Sequence, residues 1–459
     1  MLRFLPLLLI LPLAALPAQL TLRDALRLAD SSAYGNRIAT ADARAQRAQA
    51  IAPLQGILPN LRVEAGALAT TDPINAFGTK LRQRSITAAD FNPATLNFPD
   101  AARTRMAGLV WEQPLVNADA WTGRRAASAA AEAVEAIRDW TRTGTRVDVI
   151  KAYYGSTLAL EVRRTLDAAR RAADAHVARA RALADTGIVT RSDALLAEVK
   201  AGEIHAQFLE AESDVTHAQR GLAVVLGLAQ LPDALPTALP SAAVIKAIAE
   251  RDGAQPLAPS VTGAAATAAG RADVRAAEAA RRAAAADAWR AKSLYLPRVN
   301  GFARYDWNDR QAFFANERAW TVGVMATWTP FAGASEIGEV RGAVARAAAA
   351  DARAEAAAAQ AALELARTRD RLAVALAQLA IAEKAVAQAV EAHRIVARKY
   401  DGGLATISDL LEAAALETQS RLAETAARYH LILATADRQV ALGVDVSAMA
   451  ALDNAPTDR

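Results

Sequence analysis

Between Pro114 and Pro232, and again from Phe331 to Ala455, the chain holds no proline and places apolar residues three and four positions apart. That spacing is the period of a helix face. Leu115 to Thr186 is 72 residues, which as α-helix would span on the order of 100 Å. A pattern of that length suits a coiled coil or a helical repeat rather than an ordinary globular helix. Each long pattern breaks once and restarts at once. The first break is Thr186–Ala197 (T-G-I-V-T-R-S-D-A-L-L-A) and the second is Tyr400–Ala413 (Y-D-G-G-L-A-T-I-S-D-L-L-E-A). Gly187/Gly403, Thr190/Thr406, Ser192/Ser408, Asp193/Asp409 and Leu195/Leu411 all lie 216 positions apart. The breaks therefore read as the hairpin tips of two homologous helical halves, with Thr190 or Ser192 capping the restart.

A period of two marks four shorter segments. Leu61–Thr70 alternates, and Arg105–Gln113 follows a polar loop over about 71–104 and is closed by Pro114. Arg298–Asn308 sets Val299, Ala303, Tyr305 and Trp307 against Asn300, Phe302, Arg304 and Asp306. Ala319–Thr329 sets Trp320, Val322, Val324, Ala326 and Trp328 on one face, and Pro330 ends it. A helix capped by Thr21 is expected from Leu20, with a break near Gly35, to about Ala52. Another is expected over Arg271–Ser293, and a short one around Ser241–Arg251 within a proline-punctuated connection. The resulting division has residues 1–18 as a signal peptide and 19–227 as a first repeat, with a hairpin at about 60–113 and a tip near 187. Residues 228–270 connect the halves, 271–444 form a second repeat with a hairpin at about 298–329 and a tip near 403, and 445–459 are a C-terminal tail. Pro59 to Pro114 is 55 residues against 33 from Pro297 to Pro330, so the first hairpin should carry the larger loop.

Composition narrows the picture. The hydrophobic fraction is 53% but aromatics are only 5%, because alanine dominates; that favours thin, closely spaced helices. A formal charge of +4 with no Lys/Arg run gives no nucleic-acid footprint. The absence of cysteine excludes thiol chemistry, disulfides and a zinc-thiolate site. The five histidines (176, 205, 217, 393, 430) show no ligand spacing, so neither a metal nor a cofactor is expected. No nucleophile–base set or phosphate loop points to an enzyme. Met1–Arg3, the apolar run Phe4–Leu13 and the small-residue exit to Ala18 read as a secretory signal peptide cut after Ala18.

Nothing else in the sequence holds 18 consecutive apolar residues, so any membrane crossing must be by strands. Strands of about ten residues with Trp111, Trp307, Trp320 and Trp328 near their ends fit an outer-membrane band. A small soluble sheet packed on helices is the alternative. Four strands cannot close a barrel, so the membrane reading requires several chains, and three would supply twelve strands.

The signal peptide, the L-T-L-R-D-A-L start, the duplicated halves and the tips G-I-V-T-R-S-D and G-L-A-T-I-S-D-L-L-E-A resemble the TolC-like outer-membrane efflux family (outer membrane factors) over essentially Leu20–Val444. The resemblance implies a mainly α fold with membrane β. That fold is a homotrimeric twelve-stranded outer-membrane β-barrel, four strands per chain, continuing into a long α-helical periplasmic barrel in a Gram-negative cell. The implied function is the exit duct of a tripartite efflux pump, a passive conduit opened at its periplasmic tip by an adaptor (membrane fusion protein) and driven by an inner-membrane transporter. The outer-membrane duct of a type I protein secretion system is an alternative within the same architecture. A non-channel periplasmic coiled-coil adaptor is the alternative outside it.

At the tips, Asp409 and Glu412 share one helix face. In a trimer they would form a ring of six carboxylates, and mutual repulsion would raise some of their pKa values. They match the family's acidic D-x-x-D constriction with Glu in the second place; the plainer role is an acidic helix N-terminus. The resemblance also implies a tip lock, in which Tyr400 matches the tyrosine, and Ser192 and Asp193 its polar partners. Ala405 and Val189 stand where the family often has arginine, which leaves Arg191 and Arg398 as substitutes. The adaptor-docking tips would be Gly187, Ile188, Val189 and Thr190 with Gly403, Leu404, Ala405 and Thr406.

Overall fold

The computed structural model describes residues 20–231, 238–253 and 270–454; the signal peptide and most of the proline-rich connection lie outside them. In chain order the helices are α1 (Leu22–Ser32), α2 (Tyr34–Gln49), α3 (Pro73–Arg82), α4 (Pro93–Asn97) and α5 (Ala118–Asp185). They continue with α6 (Arg191–Leu226), α7 (Ala242–Gly253), α8 (Ala272–Ser293), α9 (Ser335–Asp401) and α10 (Ile407–Ala441). The strands are β1 (Asn60–Thr70), β2 (Ala102–Val116), β3 (Arg298–Asp309) and β4 (Glu317–Thr327). The described residues group into two units. One is drawn from the stretches up to Asp42, Glu135–Arg275 and from Ala356 on, the other from Ala43–Val134 and Ala276–Glu355.

In the first unit the apolar stripes of α1, α5, α6, α7, α9 and α10 meet in one core. Ile150, Tyr153, Tyr154, Leu222, Leu226, Leu379 and Leu431 are buried there. Thr21 caps α1 as expected, its hydroxyl accepting from the Asp24 N–H at 3.2 Å. The break in the first helix falls at Ala33 rather than Gly35. Ala33 turns to ψ 132° while its N–H still closes on Ala29 O, and Asn36 Nδ2 donates to the same carbonyl at 3.0 Å. Asp30 of α1 receives Arg142 and Arg146 of α5 at 2.5 and 2.8 Å, and Arg146 also reaches Asp445 at 2.5 Å. The stretch read as a C-terminal tail includes a 3-10 helix, Val446–Asn454, that buries Val446, Met449 and Leu452 in the same core.

The second unit is built on one antiparallel sheet in the order β1-β2-β3-β4. Directly paired residues share a face. Leu61, Val63, Leu109, Trp111, Tyr305, Trp307, Trp320, Val322 and Val324 therefore line one side, and Arg62, Glu64, Glu112, Arg304 and Asp306 the other. Two expectations need correction. β2 does not stop before Pro114 but runs through it to Val116. The proline has no N–H to give to the ladder, and a register shift between Pro114 and Val116 absorbs the defect.

The stretch 71–104 is not an open polar loop. Asp72 and Asn92 cap α3 and α4, and Pro73 and Pro93 occupy the first helical positions. Asp-Pro and Asn-Pro, which punctuate loops, here open helices because an N1 proline loses no hydrogen bond. The segment holds itself together through Lys80–Asp90 at 2.8 Å and an edge-on Phe77–Phe91 pair.

Candidate functional site at the two helical tips

Both tips are built the same way. α5 and α9 each end in a left-handed glycine, Gly187 at φ +75° and Gly403 at φ +72°. The Gly187 N–H returns to Ala184 O and that of Ile188 to Leu183 O, both at 3.0 Å. The second tip repeats this with Gly403 on Tyr400 O at 3.0 Å and Leu404 on Lys399 O at 2.8 Å. These paired returns form a Schellman motif, and a Cβ at either glycine would meet nothing, so conformation alone demands the residue.

The restart is a capping box on each side. Thr190 caps α6 and Thr406 caps α10, which decides between Thr190 and Ser192. Asp193 Oδ2 accepts from the Thr190 N–H at 2.9 Å and hydroxyl at 2.8 Å. Asp409 Oδ2 accepts from the Thr406 N–H at 2.8 Å and hydroxyl at 2.7 Å. Those two donors hold the Asp409 carboxyl below its ordinary pKa of 3.8. Within one chain this is the reverse of the direction expected for a crowded carboxylate ring, because Asp409 is committed to its own helix end. Asp409 and Glu412 both face solvent.

A small apolar cluster joins the tips within the chain: Ala180, Ala194 and Ala197 from the first, with Tyr400, Ile407 and Leu410 from the second. The Tyr400 ring is buried, and its hydroxyl has no hydrogen-bond partner among the described residues. Burial raises its pKa, Arg179 opposes, and Asp193 and Asp401 add to the rise. Among the described residues Ser192 makes no side-chain hydrogen bond, and Arg191 and Arg398 make no ion pair.

The cation at this junction is one the sequence did not single out. Arg179 of α5 pairs with Asp401 at 2.7 Å and lies over the Tyr400 ring, 5.8 Å from its centroid. Arg179 has no counterpart in the second half, where Ile395 stands at the repeat offset. Repeat matching could not find it.

The histidines, scattered in sequence, are not all scattered in space. The rings of His176 (α5) and His393 (α9) lie 6.3 Å apart, and His393 Nδ1 is 2.7 Å from Glu417 Oε2 on α10. Their separation of 217 positions, one more than the repeat offset, is the signal that could have paired them. Burial, then His393 and Arg179, lowers the His176 pKa below 6.5. Among the described residues no group of three potential ligands could hold a metal.

The fold matches membrane proteins of known structure. A membrane protein from Pseudomonas aeruginosa superposes with a TM-score of 0.77 at 19% identity, covering 92% of each chain. The outer membrane protein VceC of Vibrio cholerae gives 0.75 at 19%, covering 92% of this chain and 96% of its own. The open-state MtrE outer membrane channel of Neisseria gonorrhoeae gives 0.74 at 18%, covering 93% and 89%. No curated protein matches the sequence. The sequence model of outer membrane efflux proteins matches residues 74–228 and 265–444, which take in both hairpin tips, most of the sheet and the long helices. The chain belongs to the outer membrane efflux protein family.

Proposed function

We propose that the chain is the exit duct of a tripartite efflux pump, a trimer whose twelve strands enclose a passive conduit opened at its helical tips by a periplasmic adaptor. Family membership makes it an outer-membrane efflux protein with its helices on the periplasmic side. The observation that carries the finer reading is the sheet. It is four strands wide, apolar on one face and charged on the other, with β1 and β4 as open edges. Unpaired edge groups cost several kcal/mol each in hydrocarbon, roughly, so the edges must pair with other copies. The inner-membrane transporter supplies the energy, and the duct supplies a water-filled path.

At the mouth of that path, Asp409 and Glu412 are the proposed cation-attracting ring, with Arg179, Asp401 and Tyr400 holding the two hairpins of each chain together. Ile188 and Leu404, equivalent by the repeat offset and exposed at 71% and 81%, are the apolar contacts offered to the adaptor. Light scattering of the detergent-solubilised protein, with planar-bilayer recording, tests the proposal. A trimeric mass and stepwise conductance are expected; a monomer that does not conduct refutes it.

A further inference from the structure

We propose that the hairpin end of the sheet binds a phosphorylated, acylated glycolipid of the outer leaflet. Arg103, Arg105 and Arg318 would receive its phosphates, and the neighbouring aromatic side chains its sugar and acyl groups. This rests on the outer-membrane placement above and goes beyond the conduit role.

The register places these groups together. On the apolar face, Ala107, Trp307 and Arg318 form one row across the sheet, Ala67, Arg105 and Asp309 form the next row away from the long helices, and Ala69 with Arg103 lies beyond. Same-face rows are about 7 Å apart and strands about 5 Å, so the three cations, spread over three rows and three strands, occupy a patch whose backbone positions span about 17 Å. All three arginines are exposed, and none is ion-paired among the described residues.

The opposite face treats its charges differently. Arg62 pairs with Glu64 and Glu112 at 3.5 and 3.9 Å, and Arg304 with Glu64 and Asp306 at 3.5 and 2.8 Å. Charges there compensate one another, as a water-filled interior allows. On the apolar face the acid in the same rows, Asp309, stands opposite Arg105 and attracts it at a distance, but forms no close ion pair with it, because its oxygens are taken locally. It accepts the Gln311 and Ala312 N–H groups at 2.6 and 2.8 Å and the Asn316 amide.

Beside the cations stands an aromatic run. Tyr305 meets Trp307 edge-on at 4.7 Å and Trp307 meets Phe314 at 5.4 Å, while Arg105 lies over the Phe313 ring at 6.0 Å. Guanidiniums at the rim of an apolar band, with Asp309 opposite Arg105 the one acid in their rows and no close carboxylate on any of the three among the described residues, favour a further anion at that depth, and their planar forks match phosphate oxygens. A lipid bearing both phosphate and acyl chains satisfies the cations and the aromatics at once; free phosphate satisfies only the cations.

The test reconstitutes the full chain in phosphatidylethanolamine nanodiscs containing bis-phosphorylated lipid A, its dephosphorylated form, or no added lipid with inorganic phosphate in the buffer. Lipid retained through delipidation is counted by native mass spectrometry. Phosphorylated lipid A should be retained about a hundredfold better than the dephosphorylated form, and R103Q/R105Q/R318Q should abolish the preference. Arg103→Gln alone, which leaves the strand pairing untouched, should weaken it about fivefold. Equal retention of the two lipids, an unchanged preference in the variants, or displacement by inorganic phosphate would each overturn the inference. A chain that enters nanodiscs and conducts but shows no preference removes this inference alone. A chain that enters no bilayer removes the membrane reading with it.

Discussion

Replacing Arg179 by alanine should loosen the tip, and the size of the effect follows from its two contacts. The ion pair to Asp401 has both side chains about half exposed, 49% and 50%, which places it at roughly 0.2–1 kcal/mol. The guanidinium over Tyr400, at 5.8 Å from the ring centroid, adds about 0.5–1 kcal/mol. Together they hold α5 to α9 by about 1 kcal/mol per chain. If opening separates the two hairpins in all three copies of a trimer, the closed state loses about 3 kcal/mol, which is on the order of a hundredfold in the open-to-closed ratio.

The assay is single-channel recording in planar bilayers at low salt. Arg179→Ala should raise open probability strongly. Arg179→Lys, which keeps the charge but loses the flat stack on the ring, should fall between it and the parent. Tyr400→Phe is the control, because the Tyr400 hydroxyl has no hydrogen-bond partner among the described residues and the ring alone supports Arg179. It should leave gating unchanged. An open probability for Arg179→Ala within twofold of the parent, or a Tyr400→Phe variant that opens freely, would refute this account of the lock.

Five further outcomes are expected. Glu412→Gln, which touches no cap, should reduce cation selectivity and divalent-cation block in reversal-potential measurements. Asp409→Asn, whose carboxylate caps α10, should in addition lower the melting temperature. Asp30, where the Arg142 and Arg146 hydrogen bonds outweigh burial, titrates at about 2 instead of 3.8; its stabilisation is present above pH 3.8 and lost as pH falls towards 2. The shift corresponds to roughly 2 kcal/mol, reduced to about 1 kcal/mol by solvent contact. Asp30→Asn should therefore cost that amount in chemical denaturation at pH 7 and flatten the acid limb. His176 binds its proton less readily folded than unfolded, so stability should decline as pH drops below 6.5, and His176→Gln should remove that decline in melting curves from pH 7 to 5. Gly403→Ala, at φ +72° with open space around it, should cost about 1–2 kcal/mol from backbone conformation alone, and Gly403→Asn less, by thermal melting.

Periodicity carried most of the fold because the two alternations differ so clearly in this chain. The strands at Leu61–Thr70 and Arg298–Asn308 were placed to within a residue, since one face is apolar and the other charged, and the long helices followed from uninterrupted three- and four-residue spacing. The repeat offset gives both tips, because a tight helical hairpin needs a left-handed residue followed by a cap wherever it occurs; it leaves the cap open between Thr190 and Ser192, and the hydrogen bonds choose the threonine. Failures came where one residue type serves two structures. Pro73 and Pro93 read as loop punctuation and are helix openers, and Pro114 read as a strand end and sits in a bulge. No local pattern separates these uses; the neighbouring hydrogen bonds decide.

The candidate site was legible only to the extent that it is symmetric. Gly187 and Gly403, or Asp193 and Asp409, identify each other through the repeat offset. Arg179 breaks the symmetry. It pairs with Asp401, a residue of the other half, and its own repeat position holds Ile395. An ion pair between equivalent positions of two copies of one motif cannot be built from identical residues, because two equal cations would repel and two equal acids would do the same. Ala405 and Val189, at the glycine turns, are the symmetric positions, and neither carries the cation. Two turns before Gly187, an arginine on α5 can lie on the Tyr400 ring and reach Asp401 with the turn itself left free for a partner. The same tip then divides its tasks: glycine and the capping box fix the turn, Arg179 and Tyr400 hold the hairpins, and Ile188 with Leu404 remain exposed for docking.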